Sequence, residues 1–281
     1  MIKKVLICYT YYEGKDGPLP SNEATENLKF FLQNGIINDS KYLFCINVNG
    51  AYKFNFKPYL DKNKRLRLFE GNGKCLLEGY LNIFKNINVN NFYYFFFMYD
   101  KIKGPYNKDK LKYNWIEYFT NYLEKYNLII SSYGTSPMGK LFRIPYITMK
   151  FMVMNKKTFN LLLKKKYFTN NIYNDKDDAY HNDAFNHIEI KLSYLLLENN
   201  INYVVLDING IYDLNLVKFY REKNWHKLFE IIKNLHKNND KAIINKIFWS
   251  GQSMKKIFEL KDKKYIKKIL KDRNVDNLEK W

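Results

Sequence analysis

Residues 92–99 read FYYFFFMY, an unbroken aromatic and apolar run that stops at a single acid, Asp100. Such a run admits few structures. It is far shorter than the about 20 apolar residues that a helix needs to cross a bilayer. It also lacks the polar alternation of a strand with one wet face, and aromatics favour extended chain. The run therefore predicts a strand buried on both faces, as in an α/β sheet covered on each side. In open α/β sheets, ligands collect beyond the carboxyl ends of the strands. Asp100, Lys101 and Lys103 stand at such an end, just before Gly104-Pro105. On spacing alone, a binding carboxylate and a turn-capping aspartate are both open readings of Asp100.

The rest of the chain alternates strand and helix patterns. KVLICYTYY (4–12), KYLFCINVNG (41–50), RLRLFEGNGK (65–74), NLIISSYGTS (127–136), ITMKFMVMN (147–155) and INYVVLDING (201–210) predict strands. ATENLKFFLQNG (24–35) has helical spacing, with Leu28, Phe31 and Leu32 on one face and Gly35 as a stop. CLLEGYLNIF, YNWIEYFTNYLEKY, KKTFNLLLKKK and HIEIKLSYLLLENN are the other helical segments of this part. The expected fold class is α/β, a mostly parallel sheet flanked by helices over residues 1–213. Residues 214–281 are expected to form a basic helical extension on the same domain, with Trp249 in a Gly/Ser loop amid lysines.

Charge narrows the partners. The 281 residues carry a net charge of +19, which favours a phosphorylated, anionic ligand. The lysines are spread along the chain rather than gathered into a stripe, and no zinc-finger or RRM spacing occurs, so no specific nucleic-acid partner is expected. Cys8, Cys45 and Cys75 are isolated and fit a reduced, cytoplasmic setting, without a signal peptide or transmembrane segment. GxxxxGK[ST], a GxGxxG after the first strand, G-x-S-x-G and HExxH are all absent. Nothing in the sequence bears on oligomeric state.

Several segments, in one order along residues 4–213, resemble a glycosyltransferase family. Its members are the GT-A-like enzymes related to rhamnan-synthesis protein F, also found among bacterial, algal and large-DNA-virus polysaccharide enzymes. The segments are ENLKFFLQNG, CINVNG, EGNGKCLLEGYLNIF, FFFMYDKIKGPY, YNWIEYF, SSYGTS and EIKLS. Tyr99 and Lys101 stand where the family has Asn and Ser, and Cys75-Leu76 where it has Tyr-Asp.

The resemblance implies a GT-A-like fold and transfer of a sugar from a nucleotide sugar, UDP-linked by preference, to a glycan or glycoprotein hydroxyl. A viral capsid glycan made in the host cytoplasm is one such acceptor. It implies that Asp100 occupies the DxD-like position for diphosphate and metal, Mn²⁺ or Mg²⁺, with Tyr99, Lys101 and Lys103 beside it. Donor-side candidates are Tyr9, Thr10 and Tyr11 at the first strand's end, Asn72, Gly73 and Lys74 in a loop, and Arg65. Core packing of the tyrosines, an ordinary turn at 72–74 and a solvated edge strand for Arg65 and Arg67 are the open alternatives. If the reaction inverts configuration, Glu189, with Asp183 second, is the candidate base for the acceptor hydroxyl. Ser132, Gly134 and Thr135 would line the acceptor side. The competing classes are a basic nucleic-acid-binding protein without catalysis and a non-catalytic scaffold of the same fold.

Overall fold

The computed structural model describes residues 3–13, 21–72, 76–106, 111–135, 145–168, 191–207, 210–212 and 249–250. The aromatic run forms β4 (Tyr94–Tyr99). It pairs in parallel with β1 (Val5–Tyr12), which pairs in parallel with β2 (Tyr42–Asn49), and that with β3 (Leu66–Gly71). On its other side β4 meets β7 (Pro145–Asn155), which runs against both β4 and β6 (Leu128–Thr135). The sheet ends in β8 (Tyr203–Asp207), parallel to β6, and β9 (Gly210–Tyr212), which runs against β8. The order is β3-β2-β1-β4-β7-β6-β8-β9, with only β7 and β9 opposing the common direction.

Helices cover both faces, which is why β1 and β4 carry no polar alternation. On one face Val5, Ile7, Tyr9, Phe96 and Met98 pack against α1 (Ser21–Asn34) and against α4 (Trp115–Tyr122). Trp115 and Phe119 of α4 meet Phe96 edge-on, and Trp115 Nε1 donates to Gly35 O at 2.9 Å, tying α4 to the end of α1. On the opposite face Leu6, Cys8, Cys45, Phe95 and Phe97 pack against α3 (Leu76–Asn86), α5 (Lys156–Lys164) and α6 (Lys191–Glu198). Phe95 stacks on Phe159 of α5 with centroids 3.8 Å apart. Each fully buried aromatic of this kind contributes about 1.5–3 kcal/mol of transfer free energy. Cys8 and Cys45 sit side by side in register, buried and free. Burial pushes both thiols up, as suits packing atoms rather than nucleophiles.

The expected α/β class, a mostly parallel sheet with helices on both faces, is the class observed. Short elements that the periodicity does not reveal are α2 (Lys57–Lys62), β5 (Ile102–Lys103) and β10 (Trp249–Ser250). Within 214–281, the described pair Trp249–Ser250, read from the sequence as part of a Gly/Ser loop, is a short strand. It runs antiparallel to β5, returning the chain to the segment that follows Asp100.

Candidate functional site

The carboxyl ends of β1, β2, β3 and β4 lie side by side, and there the strand pattern changes from apolar to polar. Along the α3-facing side of β2 the residues run Cys45, Asn47, Asn49; along β1 they run Leu6, Cys8, Thr10, Tyr12. Thr10, Asn47, Asn49 and Asp100 are all buried. Close packing of α3 over them requires Gly79. A methyl group there would lie 2.6 Å from Thr10 Cγ2 and 3.1 Å from Asn47 Nδ2. Gly50, which takes the left-handed φ of 77° that glycine favours, turns the chain away immediately after Asn49.

Asp100 is held from three sides. Its backbone N–H donates to Thr10 O at 3.2 Å, its carbonyl accepts from Asn27 Nδ2 of α1 at 2.6 Å, and its Oδ2 accepts from Tyr12 N–H at 2.8 Å. Its Oδ1 is buried and has no hydrogen-bond partner among the described residues. Burial pushes the carboxyl up to about 7, and Glu23 adds to this, against the lowering effects of the Tyr12 N–H and Lys101. A buried acceptor that stays unsatisfied is costly, so this oxygen is suited to a ligand.

Further buried atoms near this end have no partners among the described residues, among them Thr10 Oγ1, Asn49 Nδ2 and the Tyr9 hydroxyl. Asn49 Oδ1 accepts from Asn47 Nδ2 at 2.8 Å, and Asn47 Oδ1 from Asn82 Nδ2 of α3 at 2.7 Å.

The other candidates fall in several places. Tyr9 and Tyr11 point into the α1-side core. Tyr9 stacks on Phe31 at 5.0 Å, and Tyr11 Oη bonds Thr25 and Glu13 while its ring meets Phe54 and Phe56 edge-on. Core packing therefore describes both rings. The Tyr9 hydroxyl still lies close enough to Asp100 for that charge, after burial, to push its phenol well up. Tyr99 ends β4 beside Thr10. Lys101 Nζ sits 5.9 Å from the Tyr99 ring centroid, and Lys103 Nζ 5.5 Å from that of Phe30 on α1. Asn72 is exposed just past β3, at this same end, while Gly73 and Lys74 lie outside the described residues.

Arg65 is not brought to the site. It precedes β3, the edge strand, and its register places it level with Leu43 and Leu6. Asp100 is level with Tyr11, five residues further along β1, about 16 Å up the strand. Arg67 is likewise turned to the carbonyls of Lys64 and Leu66. The solvated edge reading is the one the sheet realises for both arginines.

Ser132, Gly134 and Thr135 pair with Thr148, Tyr146 and Pro145 after a register shift in β6. Because β4 pairs with β7 only as far as Met98–Phe151, this β6–β7 ribbon runs on past the level of Asp100. Asp183 and Glu189 lie outside the described residues.

Sequence reasoning missed Asn27, Asn47, Asn49, Asn82 and Gly79. Asn47 and Asn49 did carry a signal, since two amides at period two inside a buried strand share one face. Asn27 and Asn82 carried none, because helical amides are ordinary surface residues until the fold turns them inward.

Mn²⁺ or Mg²⁺ fits these residues in one respect. Asp100 Oδ1 is a free, buried carboxylate oxygen, and such ions often take one or two carboxylates with phosphates and water completing the shell. Among the described residues, no three His, Cys, Asp or Glu side chains gather into a ligand set. Among the described residues, no helix is long and apolar enough to cross a membrane.

No protein-family model matches the sequence, and no curated protein sequence matches it. Solved structures do show similarity. One is the 4-diphosphocytidyl-2C-methyl-D-erythritol synthase of Anaerococcus prevotii, at 12% identity and TM-score 0.43, covering 75% of this chain and 90% of that one. S. aureus TarS, residues 1–349, is similar at 11% identity and TM-score 0.42, with 74% and 59% covered. A third is a glycosyltransferase involved in glycosylation of the major capsid of PBCV-1, at 10% identity and TM-score 0.33, with 73% and 81% covered.

Proposed function

We propose that this protein is a glycosyltransferase that moves a sugar from a nucleotide-sugar donor, UDP-linked by preference, to a hydroxyl of a glycan. The observation that carries the reading is Asp100. It is a buried carboxylate at the end of a central parallel strand, anchored through Oδ2 and offering Oδ1, where the ordered motifs of the family place the diphosphate and metal residue. A non-catalytic turn cap would not need a carboxylate with one buried oxygen left unsatisfied.

In the transfer, the bond between the anomeric carbon and the diphosphate oxygen breaks, and a bond to the acceptor oxygen forms. Negative charge grows on the leaving diphosphate. Lys101 and Lys103, one and three residues after Asp100, would supply positive charge on that side. A divalent cation on Asp100 Oδ1 would neutralise the same charge and draw the carboxyl back to its ionised form. If the transfer inverts configuration, the acceptor hydroxyl loses its proton to a carboxylate, for which Glu189, in the family's E-x-x-LS motif, is the first candidate and Asp183 the second. The ribbon bearing Ser132, Gly134 and Thr135 offers the acceptor a wall beyond Asp100. Hexosyl or pentosyl transfer, and an acceptor such as a viral capsid glycan, are the finer forms of this reading.

The test is nucleotide release from a panel of UDP- and GDP-sugars, with and without Mn²⁺, for the wild type and Asp100→Ala. Release of UDP from one donor that disappears in the variant is the expected result. Equal release by the variant removes Asp100 from the mechanism, and no release or donor-induced thermal shift from any sugar nucleotide overturns the reading.

A further inference from the structure

Parallel strands begin at one edge of their sheet, so the residues that lead into them are gathered there however far apart they lie in sequence. In this sheet those residues are basic. Lys3-Lys4 leads into β1, Lys41 into β2, Lys64-Arg65 into β3 and Lys125 towards β6. β7 runs the other way and delivers Lys156-Lys157 to the same edge. Lysines that look scattered along the chain are thus brought together by the topology.

The backbone sets them in a row. Val5 N–H donates to Lys41 O at 2.8 Å and Tyr93 N–H to Lys4 O at 2.8 Å, so Lys41, Lys4 and Tyr93 stand side by side. Lys156 joins them from β7, its Nζ 2.7 Å from Asn90 O and 5.5 Å from the Tyr93 ring centroid. Phe44 N–H donates to Arg65 O at 2.9 Å, which adds Lys64 and Arg65 at the other side. From β3 to β7 the row crosses four strand spacings, about 19 Å.

Only part of this charge is answered. Lys3 pairs with Glu124 at 2.6 Å, and Lys41 with Glu117 at 2.7 Å and Asp39 at 3.6 Å. Lys4, Lys64, Arg65, Lys156 and Lys157 form no ion pair among the described residues. Lys4, Lys64 and Lys157 are exposed, as is Tyr93. Tyrosines are interleaved with the lysines, and ammonium groups lie over their rings: Lys3 over Tyr94 at 5.8 Å, Lys41 over Tyr42 at 5.3 Å and Lys125 over Tyr126 at 4.9 Å.

These features discriminate among polyanions. Single-stranded nucleic acid is held by bases stacked on open ring faces, whereas here ammonium groups lie over the rings. Duplex DNA is read by a helix or ribbon that enters a groove, and this edge is built from strand starts. A bilayer offers a broad plane of phosphates, tyrosine settles at its headgroup level, and each cation near an anionic leaflet adds to binding.

We propose that the amino edge of the sheet is a docking surface for an anionic lipid bilayer, carried by Lys4, Lys41, Lys64, Arg65, Lys156 and Lys157. Asp100 is level with Tyr11, seven residues beyond Lys4 on β1, about 23 Å away. The candidate site therefore faces away from the lipid, and the docking surface does not depend on what that site binds.

Flotation of the full chain with vesicles of phosphatidylcholine alone, or of phosphatidylcholine mixed with phosphatidylserine, tests this. Wild type is expected to bind the mixed vesicles and to lose that binding as salt is raised. Lys4→Gln/Lys64→Gln/Lys157→Gln is expected to bind them about a hundredfold more weakly, each basic residue near the surface being worth about fivefold. Lys29→Gln/Lys53→Gln/Lys165→Gln removes the same charge from exposed positions off this edge and is expected to bind nearly as wild type does. Thermal unfolding establishes that each variant is folded, and Lys64→Gln/Lys157→Gln, about 25-fold weaker by the same reckoning, serves if the first triple variant is not. Equal loss in both triple variants overturns the inference, because net charge alone is then what the vesicles sense. So does a wild type that does not prefer the mixed vesicles. If the row variant keeps its vesicle binding but loses binding to duplex DNA, the edge is a nucleic-acid surface and the lipid assignment falls.

Discussion

The two ends of the central sheet each carry a carboxylate among tyrosines and asparagines, and they treat it in opposite ways. At the amino end, Glu117 Oε1 accepts from Lys41 Nζ at 2.7 Å and from Tyr42 Oη at 3.1 Å, while Asn114 donates to the same Tyr42 oxygen at 3.0 Å. The Lys41 bond, with Tyr42 assisting, holds the Glu117 carboxyl below its usual range. At the carboxyl end, Asp100 has one oxygen satisfied and one not, and burial pushes its carboxyl up to about 7. Satisfied polar groups tie elements together, whereas a buried group without a partner is one that a ligand could satisfy. The first end is built for stability; the second holds the candidate site.

The largest expected effect lies at Asp100. Asp100→Asn keeps the acceptor for Tyr12 N–H and removes the charge, so nucleotide release should fall by about a hundredfold or more, read under saturating donor. The same variant should be more stable than wild type in the absence of ligand and metal, and the sign follows from the raised carboxyl. Its stabilising proton is fully in place below the unfolded-state value near 4 and is lost as pH rises through about 7. Wild type should thus lose stability relative to Asp100→Asn across that window, by on the order of 4 kcal/mol at most, measured as the difference in urea unfolding at pH 4 and pH 8. A variant less stable than wild type at pH 8 would mean that Asp100 is a structural anchor like Glu117.

Gly79→Ala tests the packing between α3 and the strand ends. Its methyl group meets the buried Thr10 side chain, so a loss of about 1–3 kcal/mol is expected in chemical unfolding. Donor affinity should fall as well, since the amides are displaced. Glu117→Gln should cost less, about 1 kcal/mol, because the pair is partly exposed, and nucleotide release should be unchanged. Its pH signature is the reverse of that of Asp100. The stability contributed by a lowered carboxyl is present above the usual carboxylate range and lost as pH falls, so the gap between wild type and variant should close on acidification. Arg65→Ala has the smallest expectation, less than about a twofold change in donor affinity, because Arg65 stands at the end away from Asp100. A larger loss would place the donor elsewhere on the molecule.

How much of this was legible depends on the range of the interaction involved. The aromatic run at 92–99 dictated a strand covered on both sides because no other structure buries that many consecutive aromatics in so short a segment. Its end at Asp100, the helical spacing of Leu28, Phe31 and Leu32, and the stop at Gly35 are local facts, and the fold kept them. Tyr9 and Tyr11 could not be assigned by pattern, since a strand buried on both faces gives no alternation to say which side is the site. Arg65 looked available to phosphates because sequence distance is silent about which end of a sheet a residue occupies. Only the parallel register, which sets Arg65 level with Leu6, separates it from Asp100.

By itself, then, the sequence determined the layers, the strand that ends in Asp100, and a preference for anionic ligands. The tertiary structure decided which atoms are left wanting partners. That outcome depends on α3 closing over β1 and β2 through Gly79, on Asn27 reaching from α1, and on Asn82 turning inward to Glu70. Hydrophobic burial is read from composition and period, whereas a hydrogen bond needs two groups within about 3 Å, and no sequence pattern sets that distance.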